Sequence, residues 1–182
     1  MILCIMLDQS LYQQAIKFAG QKHEHQTVPG TNANYLLHLS NVAMEVIVAY
    51  MQQPSFNINL AVQIALLHDT IEDTNTTYTE IKNYFSEQIA NGVIALTKDN
   101  TIQSKKDRMQ ASIKQIKLSF KEVAIVKLAD RITNLQLPPH TWDKLKIANY
   151  KEEAAYIASQ LKGVNTYLDK RLALKIANYN KY

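Results

Sequence analysis

The sequence predicts an all-α protein of eight or nine helices. Apolar residues recur at three- and four-residue intervals along nearly the whole chain, which is the spacing of amphipathic helices. Only four glycines and four prolines occur in 182 residues, too few for a β fold with many turns. Hydrophobic residues make up 47% of the chain, so a single domain over residues 1–182 can bury one large core.

Apolar periodicity in the N-terminal half predicts helices over residues 8–22, 38–52 and 58–69. A polar loop over residues 23–35 separates the first two helices, and Pro54 ends the second. His68 falls on the apolar face of the third helix, so its imidazole is expected to point towards the core.

The C-terminal half begins with a capping box, formed by Thr77 and Glu80, which starts the next helix. The inner face of this helix is expected to consist of Ile81, Tyr84 and Phe85. Further helices are predicted to end near residues 97 and 119 and to cover residues 121–136, 143–161 and 164–179. The helix over residues 121–136 is apolar on most faces, so we expect it at the centre of the fold.

Composition excludes several classes of function. The formal net charge of +4 favours an anionic ligand, but no run of basic residues marks a nucleic-acid surface. No stretch approaches the roughly 18 apolar residues of a membrane span, and the opening MILCIML lacks the basic start of a signal peptide. The single cysteine, Cys4, leaves no internal disulfide and suits a reducing compartment. We therefore expect a cytoplasmic protein with a small-molecule ligand.

Four metal-type ligands stand on otherwise apolar helices. His38 begins the second predicted helix. His68 and Asp69 end the third, and Asp130 lies in the middle of the central one. Two imidazoles and two carboxylates suit a divalent transition metal such as Mn²⁺, Fe²⁺ or Zn²⁺. Such a metal lowers the pKa of a water ligand, which can then attack a phosphorus centre.

Each of these residues has a structural explanation when it is taken alone. A histidine on an apolar stripe is often a core residue with a satisfied ring, and an aspartate in mid-helix is often a salt-bridge partner. The order of the residues favours the metal site: a histidine opens one helix, a His-Asp pair closes the next, and an aspartate follows in a later apolar helix. Because a buried carboxylate without a metal is costly, removal of Asp130 is expected to stabilise the metal-free protein.

The same residues resemble those of a known family. The segments ALLHDTIEDT (65–74), LTK (96–98) and VKLADRITNL (126–135) are similar to the hydrolase domain of the RelA/SpoT alarmone family, a group of HD-domain metal-dependent phosphohydrolases. The resemblance runs from about residue 15 to residue 135 and leaves residues 143–182 outside it. It implies the helical HD-domain fold around a metal site and Mn²⁺ as the usual ion, with four ligands: His38, His68, Asp69 and Asp130.

The resemblance also implies roles for neighbouring residues. Glu72 and Asp73 match the acidic pair that orients or activates the attacking water, with a solvated acidic turn as the alternative. Asn134 matches a substrate-contacting position. Lys127 and Arg131 flank Asp130 and are expected to contact the substrate, with surface salt bridges as the alternative.

The loop before the first metal ligand departs from the family. The alarmone hydrolases usually carry a basic pair there, and this chain has Thr27 and Val28 in its place. His23, Gln26 and Tyr35 do fit the family pattern, and Gln26 is expected to contact the substrate. Basic residues elsewhere are candidates to contact the phosphates instead, with a solvated helix start as the alternative: Lys98, Lys105, Lys106 and Arg108.

Three functions remain open at this point. The first is a stand-alone hydrolase that removes the 3′-pyrophosphate from guanosine polyphosphates such as (p)ppGpp. The second is the same chemistry on another nucleotide or phosphorylated metabolite. The third is a non-catalytic sensor that binds an alarmone or another nucleotide. The complete ligand set and the acidic pair favour an enzyme, because a sensor needs no groups to activate water.

Trp142 follows the two prolines that end the central helix, Pro138 and Pro139. It is expected in the core, with a lid or a contact in a homodimer as the alternatives. The last two helices have no role that the sequence assigns.

Overall fold

The structure is a computed structural model and describes residues 6–179, so that Cys4 lies outside the described residues. The described residues form ten helices, and the all-α prediction is confirmed. The helices are α1 (Gln9–Lys22), α2 (Leu36–Gln52), α3 (Ile58–Leu67), α4 (Thr70–Asp73), α5 (Tyr78–Tyr84), α6 (Glu87–Leu96), α7 (Lys105–Leu118), α8 (Lys121–Asn134), α9 (Lys144–Gln160) and α10 (Thr166–Asn178). α4 is a single turn of four residues, and each of the others has seven residues or more.

Short polar side chains determine where most helices begin. In seven helices the residue before the first turn accepts a hydrogen bond from a backbone N–H of that turn: Asp8, Asn57, Thr77, Ser86, Ser104, Asp143 and Asn165. The predicted helix start at Thr77 is confirmed, since its Oγ1 accepts from the Glu80 N–H at 3.2 Å. The Glu80 carboxylate pairs with Lys22 at 2.7 Å and so connects α5 to α1.

α3 and α8 form the centre of the fold, with α2 packed against both. Nine of the ten residues of α3 and eleven of the 14 residues of α8 are buried. Leu39, Ile64 and Leu128, one from each of these helices, are fully buried. Burial of such a side chain contributes roughly 1.5–3 kcal/mol to stability. The central position predicted for α8 is confirmed.

Among the described helices, none is both long and apolar enough to cross a bilayer.

The turn between α3 and α4 differs from the prediction of a helix that continues to residue 69. α3 ends at Leu67, and α4 begins at Thr70. Between them His68 and Asp69 still have right-handed helical backbone angles. Apolar periodicity therefore cannot show this break, because the local conformation changes little. α2 begins at Leu36, two residues earlier than predicted, which places a full turn of helix around His38.

The polar loop over residues 23–35 is held against the body of the protein. The Tyr35 N–H donates to the Gln26 carbonyl at 2.9 Å and closes the loop at its base. Gly30 has a φ angle of 79°, and a Cβ atom added there would lie 2.9 Å from Pro139 Cβ. This loop and the segment after α8 therefore pack directly on each other.

Two aromatic residues lie nearer to the surface than predicted. Tyr84 is 53% exposed, although its ring centroid lies 5.1 Å from that of Phe18. Trp142 is half-buried outside the core and contacts Tyr150 edge-on, with ring centroids 5.0 Å apart. Tyr84 is the last residue of α5 and Trp142 lies in a loop, and at such positions helical periodicity does not determine burial.

Candidate metal centre and active site

Three helices that pack on one another bring the predicted metal ligands together. His38 projects from the first turn of α2, His68 from the end of α3 and Asp130 from the middle of α8. Asp130 Oδ1 lies 3.6 Å from His38 Nε2 and 3.9 Å from His68 Nε2. Ligand atoms of the three residues all lie within 4.8 Å of one another, and all three residues are buried. Atoms so arranged can surround one divalent cation, which binds such ligands at about 2.0–2.2 Å.

Asp69, the fourth predicted ligand, lies beside both histidines. Its Oδ2 is 2.9 Å from His68 Nε2 and 3.6 Å from His38 Nε2. The same oxygen accepts a hydrogen bond from the Tyr35 hydroxyl at 2.7 Å. Tyr35 therefore orients the Asp69 carboxylate, as partners of metal ligands commonly do.

The unpaired imidazole nitrogens test whether a cation fits here. His68 Nδ1 lies 2.8 Å from the Ala65 carbonyl, which only accepts, so Nδ1 carries a proton and Nε2 is the ring nitrogen that faces the cluster. His38 Nε2 is buried without a hydrogen-bond partner among residues 6–179, whereas His68 Nε2 lies 2.9 Å from Asp69 Oδ2. Imidazole nitrogens and carboxylate oxygens that face one another in a buried site need a positive charge between them, which a proton or a metal ion supplies. The donor set therefore fits a divalent metal ion.

In the absence of a cation, the ligands shift one another's pKa values. Burial alone would lower the pKa of His68, but the Asp69 carboxylate outweighs this effect and raises the pKa to about 9. Burial and the neighbouring His68 lower the pKa of His38. Burial would raise the pKa of Asp130, but Lys127 and the imidazoles hold it at about 2. Protons and a metal ion therefore compete for the same carboxylate-lined space.

The cluster forms the floor of a cavity of 210 Å³. His38 belongs to the cluster but does not line the cavity, and other predicted site residues do: His68, Asp69, Glu72, Asp73, Lys98, Lys127, Asp130, Arg131 and Asn134. The walls thus carry both an acidic pair and three basic side chains. This volume suits phosphate groups, since pockets that enclose whole drug-sized ligands usually measure about 300–1,000 Å³.

Glu72 is held at the wall of the cavity by Lys98. The Lys98 backbone N–H donates to one Glu72 oxygen at 3.1 Å, and Nζ donates to the other at 2.7 Å. Burial would lower the pKa of Lys98, but the Glu72 carboxylate outweighs it and raises this pKa, so Lys98 stays charged. A fixed ion pair therefore borders the cavity on this side.

Asp73 stands beside Glu72 and has a different environment. Its Oδ2 accepts a hydrogen bond from Gln26 Nε2 at 2.9 Å. Burial raises the pKa of Asp73, and repulsion from Asp69 and Glu72 adds to this effect. A carboxylate with a raised pKa is a better proton acceptor near neutral pH.

Lys127 and Arg131 of α8 are buried. They therefore do not form the surface salt bridges that were the alternative interpretation of these residues. Lys127 is 5% exposed, and its Nζ lies 3.1 Å from Asp130 Oδ2. Asn134 Nδ2 donates to the other oxygen of the same carboxylate. Arg131 is 4% exposed and pairs with Glu153 of α9. Lys127 and Asn134 thus orient Asp130 from two sides.

Two predicted substrate-contacting residues lie outside the lining of this cavity. Gln26 reaches it only through Asp73. Arg108 donates from Nε and Nη2 to the Ile102 carbonyl at 3.1 and 2.8 Å and so orders the loop before α7. Lys105 and Lys106 are exposed and line a separate cavity between α7 and α9.

Three residues of the site had no role assigned from the sequence. Tyr35 matches the family pattern, but its bond to Asp69 depends on where α2 begins. Tyr150 and Glu153 line the cavity from α9, and the Arg131 guanidinium lies 4.6 Å from the centre of the Tyr150 ring. Their spacing of three residues places them on one face of a helix. The sequence does not show that this face meets α8.

Comparison with known proteins agrees with this geometry. A family profile described as an HD domain matches residues 15–164. The chain belongs to the HD-domain family. The match extends beyond the predicted limit at residue 135 and includes all of α9. The predicted HD-domain fold is thereby confirmed.

Several relatives of this HD-domain protein are named for one reaction. The guanosine-3′,5′-bis(diphosphate) 3′-pyrophosphohydrolase MESH1 of Xenopus tropicalis is 31% identical over 170 residues, which cover 91% of this chain and 92% of the relative. The Homo sapiens protein of the same name is 31% identical over 164 residues, 87% of this chain and 89% of the relative. A guanosine-3′,5′-bis(diphosphate) 3′-pyrophosphohydrolase of Aquifex aeolicus is 36% identical over 126 residues, but these make up only 17% of that longer protein.

A solved structure has the same fold as this HD-domain protein. It is that of a metazoan orthologue of SpoT that hydrolyses ppGpp and plays a role in starvation responses. The TM-score is 0.83 at 22% identity, and the match covers 96% of this chain and 98% of the other. The agreement shows that the arrangement of helices is the one found in that protein.

Proposed function

We propose that this HD-domain protein is a Mn²⁺-dependent phosphohydrolase that removes the 3′-pyrophosphate from guanosine polyphosphates such as (p)ppGpp. The observation that carries the proposal is one cavity with metal-type ligands on its floor and an acidic pair and three basic side chains on its walls. Relatives that are named for this reaction match nearly the whole chain.

The ligand set supports a divalent ion at the floor of the cavity. The residues that would hold it are His38, His68, Asp69 and Asp130. Mixed imidazole and carboxylate ligands suit Mn²⁺, with Fe²⁺ and Zn²⁺ as alternatives that metal analysis distinguishes. When bound, such an ion supplies Lewis acidity and a lowered pKa for water.

The acidic pair acts on the attacking water in this proposal. Asp73 takes a proton from the water as its oxygen adds to the phosphorus atom. Glu72, held by Lys98, keeps a fixed acceptor at the cavity wall that orients the water. The bond between phosphorus and the 3′ oxygen breaks, pyrophosphate leaves, and the 3′ oxygen takes up a proton to become a hydroxyl group.

Three basic residues stabilise the phosphate groups during this step. Lys98, Lys127 and Arg131 line the cavity and offset the negative charge on the phosphoryl oxygens. The cavity has room for the phosphates but not for a whole nucleotide. The guanosine therefore lies towards the rim, where the loop over residues 23–35 packs on the segment after α8.

A second class of substrate is favoured by one observation in that loop. Thr27 and Val28 stand where the alarmone hydrolases usually have a basic pair, and they leave this side of the rim without those charges. Another nucleotide or a phosphorylated metabolite would then take the place of ppGpp in the same chemistry.

A substrate panel with defined metal ions tests the proposal. Purified protein loaded with Mn²⁺ is expected to release pyrophosphate from ppGpp, and the matched Asp69→Ala variant is expected to release none. Activity on other phosphate esters but not on ppGpp would favour the second class of substrate. A protein that takes up no divalent metal and hydrolyses nothing would favour a nucleotide-binding sensor.

A further inference from the structure

We propose that His23 and Gln26 are positioning residues that act through Asp73: the ring N–H of His23 fixes the Gln26 amide so that its NH₂ group donates to the Asp73 carboxylate. The inference rests on the proposed function, in which Asp73 takes the proton of the attacking water. Neither His23 nor Gln26 lines the catalytic cavity, so this role differs from the substrate contact expected for Gln26.

The geometry of the three side chains gives the amide one orientation. His23 Nδ1 lies 2.6 Å from Gln26 Oε1. Because an amide oxygen only accepts, the proton of this bond is on Nδ1. Gln26 Nε2 then points to the other side and donates to Asp73 Oδ2 at 2.9 Å. Without His23, the amide could turn and place its oxygen against the carboxylate, where two acceptors repel each other.

The two residues are held by the scaffold. His23 is 1% exposed, ends α1 through a bond from its N–H to the Ala19 carbonyl, and stacks on Tyr35 with ring centroids 5.0 Å apart. The Gln26 N–H donates to the His23 carbonyl at 3.0 Å, and the Gln26 carbonyl accepts from Tyr35. His23 Nε2 is buried with no hydrogen-bond partner among residues 6–179, so in the described part of the chain the ring makes its side-chain hydrogen bond to Gln26.

The hydrogen bond from Gln26 opposes the other influences on Asp73. Burial and repulsion from Asp69 and Glu72 raise the pKa of Asp73, whereas the Gln26 N–H group lowers it by stabilising the ionised form. Other charged or titratable groups near Asp73 come from the end of α1, the loop that follows it and the start of α2: Lys22, His23, Glu24, His25, Tyr35 and His38. Lys22 is paired with Glu80, which leaves Gln26 as the group that donates directly to Asp73 among the described contacts.

The pH dependence of kcat in the metal-loaded enzyme tests this role. Gln26→Leu removes the donor, and His23→Phe keeps a ring on Tyr35 but removes the N–H that fixes the amide. In both variants the pKa of Asp73 should rise, so the acid limb of kcat should move up by about one pH unit and kcat below that limb should fall roughly tenfold. KM and metal content should stay as in the wild type. In the double variant the acid limb of kcat should shift no further than in either single variant, because both changes act through the same hydrogen bond from Gln26 to Asp73.

Gln21→Leu is the matched control, since it makes the same exchange at an exposed position of α1 and should keep the wild-type profile. The role of His23 and Gln26 would be overturned if both variants kept the wild-type acid limb, even with kcat lowered equally at every pH. If one variant fails to fold by circular dichroism, the other carries the test.

A second readout separates this inference from the proposed function. If the wild type releases no pyrophosphate, the proposed function fails, but the Asp73 carboxyl group can still be titrated by ¹³C NMR in Zn²⁺-loaded protein, with Asp73→Asn for assignment. A higher pKa of Asp73 in Gln26→Leu than in the wild type supports the positioning role. An equal pKa refutes it.

Discussion

The floor and the rim of the catalytic cavity are held by different means. The floor consists of His38, His68, Asp69 and Asp130, whose helices carry most of the fully buried side chains. The rim consists of the loops over residues 23–35, 97–104 and 135–143, which are held by hydrogen bonds and by the close contact of Gly30 with the Pro139 side chain. The metal chemistry thus depends on the core, whereas the substrate end can change without repacking it. Thr27 and Val28, which replace the basic pair usual in the alarmone hydrolases, belong to a rim loop. Such a change is expected at the rim, because it does not require the core to repack.

Removal of a floor ligand should have the largest effect on activity. His68→Ala is expected to lower both metal content and the hydrolysis rate, the latter by at least about 100-fold, because loss of even a partner of a metal ligand costs 10–100-fold. Metal content by mass spectrometry and pyrophosphate release are the two measurements. Full activity with full metal content in this variant would remove His68 from the floor.

A change at the wall should separate metal binding from catalysis. Glu72→Gln is expected to keep the metal and to lower kcat by roughly 100-fold, because a misplacement of the attacking water by about 1 Å can cost that much. The same two measurements apply. If Glu72→Gln loses the metal as His68→Ala does, then Glu72 helps to bind the metal. The distinction between metal-binding floor residues and the acidic pair at the wall would then be wrong.

Loss of the Asp130 carboxylate should destabilise the metal-free protein. The sequence led to the opposite expectation, but the structure provides Asp130 with Lys127 and Asn134 as partners. Asp130→Ala would leave the buried Lys127 ammonium unpaired, at a cost of about 3–5 kcal/mol in the free energy of unfolding. Urea unfolding with a chelator present measures this cost. The double variant Lys127→Met with Asp130→Leu should recover most of the loss, since it removes both charges.

A change at the rim should have the smallest effect. Gly30→Ala places a Cβ atom against Pro139 at a positive φ angle, so it is expected to cost about 1–2 kcal/mol of stability. Because the floor does not move, metal content should be unchanged and KM should change more than kcat. Thermal unfolding and steady-state kinetics check both parts. A loss of metal in Gly30→Ala would show that floor and rim are coupled after all.

The predictions from the sequence were most accurate where the residues concerned lie within one short segment or one helix. LLHDTIED contains two predicted ligands and the acidic pair, and all four line one cavity; the apolar pattern of α8 correctly indicates that Asp130 is buried. Periodicity shows which face of a helix is buried but not which helix it meets. The contacts of α9 with the site, through Tyr150 and Glu153, therefore could not be predicted. The turn after Leu67 was missed for a similar reason, because its residues keep helical backbone angles.

The origin of the floor ligands in three distant helices has a consequence for chain entropy. An ion held by His38, His68 and Asp130 would close the stretches over residues 39–67 and 69–129 into loops. The entropic cost of closing such loops in an unfolded chain rises with the logarithm of their length, so a folded chain that already holds the ligands together binds the ion far more readily. The metal would thus act as a cross-link in a sequence whose single cysteine leaves it without an internal disulfide.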